Sequence, residues 1–184
     1  MDSISKFINV FILIFGVFFV TTLIAANLDD RVTQESVTTT VTKFCDNVRK
    51  QGKLTPTMYD SFITQLDANE ILFNIEMVYT KDVISPGIGV DGLPDGTAVT
   101  TQESFYTQDI LAGLYNSEEA DGDLIDGTAD GELWFNQGDT FYVKVKNRGK
   151  TLSERYGTYF PWLKSANSKI TVEAGGLIRD EDWG

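Results

Sequence analysis

The chain contains no histidine, one cysteine and four prolines in 184 residues. The missing histidine excludes Ser-His-Asp and Cys-His catalysis, histidine-ligated zinc and the commonest general acid–base residue. One thiol, Cys45, cannot close an intramolecular disulfide, so the domain must stand on its apolar core. Beside Phe44 it reads as a small apolar residue on a helix face, with intermolecular pairing as the alternative. Positive charge is scarce as well: 15 Lys and Arg stand against 27 Asp and Glu, a net charge of -12. That disfavours nucleic acid, whose binding depends on clustered cations releasing counterions from phosphates. It also disfavours docking of the soluble part onto anionic lipid. There is no phosphate-binding glycine loop and no CxxC motif.

One long apolar run is present. From Phe7 to Ala26 the chain reads FINVFILIFGVFFVTTLIAA, with no charge and only Asn9, Thr21 and Thr22 as polar interruptions. As a helix, such a run rises about 30 Å, the thickness of the hydrocarbon layer. A soluble helix would show a polar face, and this one has none. Lys6 precedes the run, and Asp29 and Asp30 follow it, which predicts the N-terminus inside and the remainder outside the cell membrane. The rival reading is a cleaved signal peptide. The run exceeds the usual ~7–15 residues of such a segment, and Leu23 and Ile24 fall where a small residue is preferred. The expectation is therefore a single-pass anchor contacting lipid through residues 7–26.

Beyond it, Val37, Val41, Phe44 and Val48 recur at i, i+4, i+7 and i+11, one face of a helix. Leu28 and Val32 fit an adjoining stripe, and Gly52 reads as the C-cap. The β-branched run Val37–Thr42 is poor in helix propensity, but nothing between Ala26 and Lys50 breaks the helix. The domain plan is thus 1–26 anchor, 27–52 helical stalk and 53–184 extracytoplasmic domain. The face Val37, Val41, Phe44, Val48 is the candidate assembly surface, packing on a neighbouring helix or on the chain's own sheet.

Thr55-Pro56 reads as N-cap and first helical residue of a short helix ended by Asn69. Ile71, Phe73, Ile75, Met77 and Tyr79 alternate with polar residues as a half-buried strand. Residues 82–104, carrying SPGIGVDGLPDG, read as loop with at most a small hairpin. Tyr106–Tyr115 suits a short helix. Leu133-Trp-Phe135 is expected to pair across Asn-Gln-Gly-Asp with Thr140–Lys146. A last strand turns Ile170 and Val172 inward, with a bulge at Gly175-Gly176. The predicted class is α+β: a long N-terminal transmembrane and stalk helix, a short second helix and a small antiparallel sheet.

Chemistry-bearing patterns are few. Asp126, Thr128, Asp130 and Gly131 begin like a calcium loop, but Gln137 stands where a bidentate Glu belongs, so an acidic turn is the simpler reading and no cofactor is expected. Carboxylate pairs for glycoside hydrolysis lack an apolar setting that would raise a pKa, so no enzyme is expected. Trp134, Tyr142, Tyr156, Tyr159 and Trp162 offer stacking surface for a glycan or peptide, although aromatics in strands are more often core.

The whole-chain pattern resembles pilin architecture. The stretches that carry it are the apolar run into VTKFCDNVRKQGKLTPTMYDSFITQL, then NIEMVYT, GDTFYVKVKN and ITVEAGGLIRDE. More specifically, the chain is similar to small pilin-like proteins (pseudopilins) of tight-adherence, Flp-type pilus and related secretion loci in Gram-positive bacteria. The resemblance implies a non-catalytic assembly subunit whose apolar helices pack side by side while the heads face outward. Type IV pilins carry a glycine before the apolar helix and a glutamate as the fifth mature residue. Here Gly16 is mid-span and no acid lies between Phe7 and Asn27. The likeness is therefore to a minor or accessory subunit. The alternative is a surface binding module for a glycan or protein, tethered by a signal anchor.

Overall fold

The computed structural model describes residues 2–69, 71–88, 94–115, 131–151, 154–155, 169–179 and 181. One α-helix, α1 (Asp2–Gln51), carries the apolar run and the amphipathic segment without a break. The Val37–Thr42 run stays helical because its β-branched side chains are buried where the helix needs them: Val37 and Val41 are fully enclosed, and tertiary packing outweighs propensity. The Thr38 hydroxyl returns a hydrogen bond to the Gln34 carbonyl at 2.7 Å.

α1 stops at Gly52, whose φ of 63° is the left-handed conformation glycine adopts freely. Its N–H donates to the Val48 carbonyl at 3.0 Å. Two further terminal carbonyls are satisfied from the other end of the chain: Arg179 N–H donates to Arg49 and Glu181 N–H to Lys50, at 2.8 and 2.7 Å. The chain then forms β1 (Lys53–Leu54) and α2 (Pro56–Asp67), with the Thr55 hydroxyl accepting from Met58 N–H as the expected N-cap.

β2 (Phe73–Ile88) and β3 (Pro94–Tyr106) follow, then α3 (Thr107–Tyr115), β4 (Leu133–Trp134), β5 (Thr140–Asn147) and β6 (Thr171–Leu177). The main sheet has the order β3-β2-β5-β6, antiparallel throughout, and β1 pairs with β4 in a separate two-stranded sheet. This is the α+β arrangement expected: a long helix, a shorter one and antiparallel sheets.

One face of the main sheet is core and the other is solvated. Met77 and Tyr79 of β2, Phe105 of β3, Phe141, Val143 and Val145 of β5 and Val172 of β6 point inward. The C-terminal half of α1 packs on β5 and β6, and α2 packs on α1. The Phe44 and Phe62 rings stack at 4.1 Å, and Phe141 meets Phe44 edge-on at 6.3 Å. On the outer face Lys146 pairs with Glu76 at 3.1 Å and Lys144 with Glu173.

Three expectations need correction. Residues 82–104 are not chiefly loop: β2 and β3 pair from Val78↔Tyr106 out to Ile88↔Pro94. Pro86 and Gly87 lie within β2 and Pro94 and Gly96 within β3, where the register shifts between Pro86 and Ile88, and the Val, Ile and Thr residues around them extend the strands. β4 does not pair with β5. A strand has two edges, and those of β5 are taken by β2 and β6. Phe135 N–H instead donates to the Gly52 carbonyl at 2.8 Å, drawing this segment to β1. Nor is there a bulge at Gly175-Gly176, since the β5–β6 register runs unbroken from Thr140↔Leu177 to Lys146↔Thr171. The glycines are needed for clearance: a Cβ at Gly175 would lie 2.5 Å from the Tyr142 ring, and one at Gly176 would lie 2.8 Å from the Arg49 guanidinium.

Candidate membrane and assembly surface

The apolar run occupies the N-terminal half of α1 and is exposed along most of its length, with Ala26 at its end buried. Phe7, Phe11, Phe15 and Phe18 are 62–77% exposed, and Val10, Leu13, Val17 and Val20 are exposed as well. By length and composition this one helix can cross a membrane. Thr21 and Thr22 are accommodated there because their hydroxyls bond to the helix itself: Thr21 donates to the Phe18 carbonyl at 2.8 Å and Thr22 to the same carbonyl at 2.9 Å. A bare hydroxyl in hydrocarbon would lack that compensation.

The expected assembly face meets a different partner from a neighbouring helix. Val37, Val41, Phe44 and Val48 are 0–5% exposed and lie inside the chain's own core, against β5, β6 and α2. Of the two partners considered for this face, the chain's own sheet occupies it. Leu28 and Val32, expected beside that stripe, point away from the core and are more than half exposed.

The upper end of α1 is locked to the end of β6. Arg49 Nε donates to the Leu177 carbonyl at 2.9 Å, and its guanidinium also pairs with Asp46 at 3.1 Å. Cys45 is buried under Phe141, and desolvation pushes its thiol up to about 11 from an ordinary value of 9.0. It is therefore a neutral core group without nucleophilic character at physiological pH.

At the lower end the start of β2 and the segment after β5 reach α1. A cleft of about 300 Å³ is lined by Asp29 and Asp30 of α1 together with Leu72, Lys150 and Arg155. Residues 27–52 therefore run alongside the domain instead of standing beneath it. A second cleft, of about 340 Å³ between α1 and α2, has Phe44, Met58 and Phe62 at its floor and Lys43, Asn47 and Gln65 at its rim.

One buried ionisable cluster lies elsewhere. Asp139, 6% exposed, accepts from the Tyr79 hydroxyl and from Asp82 N–H at 3.3 Å. Burial first, then the hydrogen bond to Asp139, holds the Tyr79 hydroxyl well above its ordinary pKa. This carboxylate joins β2 to the turn before β5, and periodicity gave no signal for it.

The remaining candidates are scattered or fall outside the described residues. Asp126, Thr128 and Asp130 lie outside them, as do Tyr156, Tyr159 and Trp162. Trp134 is held by Lys53, whose ammonium sits 4.7 Å from the ring centre, and Tyr142 lies over Gly175. Among the described residues no three His, Cys, Asp or Glu side chains converge on a metal-sized space. Compared with protein-family models, with curated proteins and with solved structures, the chain matches none of them.

Proposed function

We propose that the chain is a membrane-anchored, non-catalytic structural or accessory subunit of a pilus- or secretion-type assembly. In this reading the N-terminus is inside and the α+β domain is outside the cell membrane. The observation that carries it is the continuity of α1: the helix exposed on all sides through residues 7–18 is the same rigid helix whose Val37–Val48 face anchors the sheet. A tethered binding module needs only a flexible link between span and head. A helix shared by bilayer and core fixes the head relative to the span, which suits a subunit that must hold a set position beside its neighbours. Because the Val37, Val41, Phe44, Val48 face is occupied, subunit contacts fall to the outward side of α1 at Leu28 and Val32 and to its intramembrane length.

The test uses the full chain in its native membrane. Photo-crosslinkers at Leu28 and Val32 are expected to capture defined envelope-assembly proteins or further copies, identified by mass. A crosslinker at Ile84, 73% exposed on the distal hairpin, serves as control. Orientation is read by a membrane-impermeant maleimide on Ile84→Cys in intact cells, since Cys45 is buried. Only uncrosslinked monomer at both helix positions, in protein that is correctly inserted, would rule out the subunit reading. Labelling of Ile84→Cys only after lysis would reverse the orientation.

A further inference from the structure

The net charge of -12 argues against contact between this domain and anionic lipid, but the charge is not evenly spread. Sheet register brings together, at the lower end of the domain, residues that are far apart in sequence. Arg148 N–H donates to the Leu72 carbonyl at 2.7 Å, and Asn147 N–H donates to the Ile170 carbonyl at 2.9 Å, placing Lys169 beside them. Lys150, Arg155 and Leu72 line the cleft against Asp29 and Asp30. Arg148, Lys150, Arg155 and Lys169 are all exposed or nearly so, and Leu72 is 71% exposed.

The height of this end above the bilayer follows from the helix. Asp29 is three residues past Ala26, a rise of about 4.5 Å. The headgroup layer is about 5–7 Å thick on each side. Residues level with Asp29 and Asp30 therefore sit within that layer, on the reading that residues 7–26 span the hydrocarbon. Arg31 stands at the same level on α1, also exposed. Among the described residues, the carboxylates at this height are Asp29, Asp30, Glu154 and, two residues before Asn69 of the cleft, Asp67. Among the described residues five cations and four carboxylates lie at this end, a more even balance than the 27 acids and 15 bases of the whole chain. Lys150 and Arg155 share the cleft with Asp29 and Asp30, whereas Arg148 and Lys169 sit on the sheet's lower edge beside Leu72.

We infer that this lower rim is a second membrane contact: Leu72 enters the interfacial layer, and Arg148 and Lys169 bind lipid phosphates of the outer leaflet. An apolar side chain flanked by long cationic ones is the chemistry of an interfacial anchor, since Lys and Arg can lie along apolar surface while their heads stay with the phosphates. The rim fixes the tilt of α1 and holds the head upright against the bilayer. This rests on the anchor reading above.

The experiment uses full-length protein reconstituted in vesicles of phosphatidylcholine with or without phosphatidylglycerol, with quenching by lipids spin-labelled at the headgroup or along the chain. An environment-sensitive probe is placed on Leu72→Cys, on Phe11→Cys as a mid-span reference, and on Ile84→Cys as a distal one. Cys45, buried and protonated, does not compete for the label. The expected result is quenching of the Leu72 probe by headgroup spin label, stronger with phosphatidylglycerol, and none at Ile84. Arg148→Glu with Lys169→Glu should cut the Leu72 quenching roughly two-fold or more in anionic vesicles. A quenched Phe11 probe with an unquenched Leu72 probe overturns the rim while leaving the anchor intact. An unquenched Phe11 probe overturns the anchor, and the rim with it. Leu72 quenching that ignores both phosphatidylglycerol and charge reversal overturns the phosphate contact.

Discussion

Replacing Tyr79 with phenylalanine removes one oxygen and leaves the core volume otherwise intact, yet it isolates a buried carboxylate. Asp139 is 6% exposed and accepts from two donors, the Tyr79 hydroxyl and Asp82 N–H, the latter a longer bond of 3.3 Å. Its backbone is committed too: its carbonyl accepts from Ile178 N–H at 2.8 Å and its N–H donates to Asn136 at 3.2 Å. The carboxylate therefore cannot swing out to water without loosening the junction of β5 and β6. A hydrogen bond to a charged group is worth about 1.5–3 kcal/mol, and leaving the acceptor buried places Tyr79→Phe toward the upper end, about 2–3 kcal/mol. For a chain of this size that is a fall in melting temperature of roughly 5–10 °C. Asp139→Asn keeps the shape but aims an amide donor at Asp82 N–H when its oxygen faces Tyr79, costing about 1–2 kcal/mol. The double variant no longer contains an unpaired charge, so its cost should fall below the sum of the two by about 1 kcal/mol or more. Thermal unfolding of the detergent-solubilised full chain, followed by near-ultraviolet circular dichroism, measures all four members of this cycle. A Tyr79→Phe shift under about 1 °C, or strictly additive costs, would show that the carboxylate finds solvent and that the junction is looser than described.

Two further outcomes follow from the same packing. The Cys45 thiol is raised to about 11 from 9.0, so the unfolded chain loses its proton first as pH rises. The contribution is complete below pH 9 and is lost progressively between about pH 9 and 11, by about 2–3 kcal/mol in all. Cys45→Ala should flatten that part of the stability–pH curve, and a thiol reagent should reach Cys45 only on unfolding. At Gly176, where φ is 151° and the Arg49 guanidinium leaves no room for a Cβ, alanine is expected to cost about 1–3 kcal/mol. Urea titration of Gly176→Ala against Arg49→Ala and the double variant checks it: if the clash is the cause, the double variant recovers part of the loss.

The parts of this fold legible in the sequence are those encoded by neighbours along the chain. The apolar run, the Val37, Val41, Phe44, Val48 spacing, the Thr55-Pro56 start of α2 and the alternation that opens β2 each carry their own periodicity or capping chemistry. The helix through Val37–Thr42 was legible only because nothing breaks it; what makes it helical is burial against β5 and β6. The misread parts depend on choices between distant segments. β4 pairs with β1 because β5 has no free edge, a competition that no local pattern records. The hairpin of β2 and β3 was hidden because Pro86, Gly87, Pro94 and Gly96, which read as turn signals, lie within the strands. The rim was least legible of all, since Leu72, Arg148 and Lys169 meet only through sheet register.

Occupation of the Val37–Val48 face constrains how any assembly can be built. Peeling α1 away to lay that face on a neighbour would uncover four large apolar side chains together with Cys45 and open the Phe44–Phe62 stack. Each such side chain is worth about 1.5–3 kcal/mol of burial. The loss would rival the whole stability of an ordinary domain. If the chain joins an assembly as proposed, it must use surfaces already outside: the apolar length of α1, its outward side at Leu28 and Val32, or the distal hairpin. On the proposed reading, only the α1 surfaces are rigidly coupled to both bilayer and core, because the helix runs 50 residues without a break. A contact made there sets the tilt of the span and the attitude of the head together. The lower rim acts on the same variable from the other side: when Leu72, Arg148 and Lys169 rest on the leaflet, α1 has few orientations left. A subunit held at one tilt before it meets a partner gives up less orientational freedom on joining, which favours association without any added contact area.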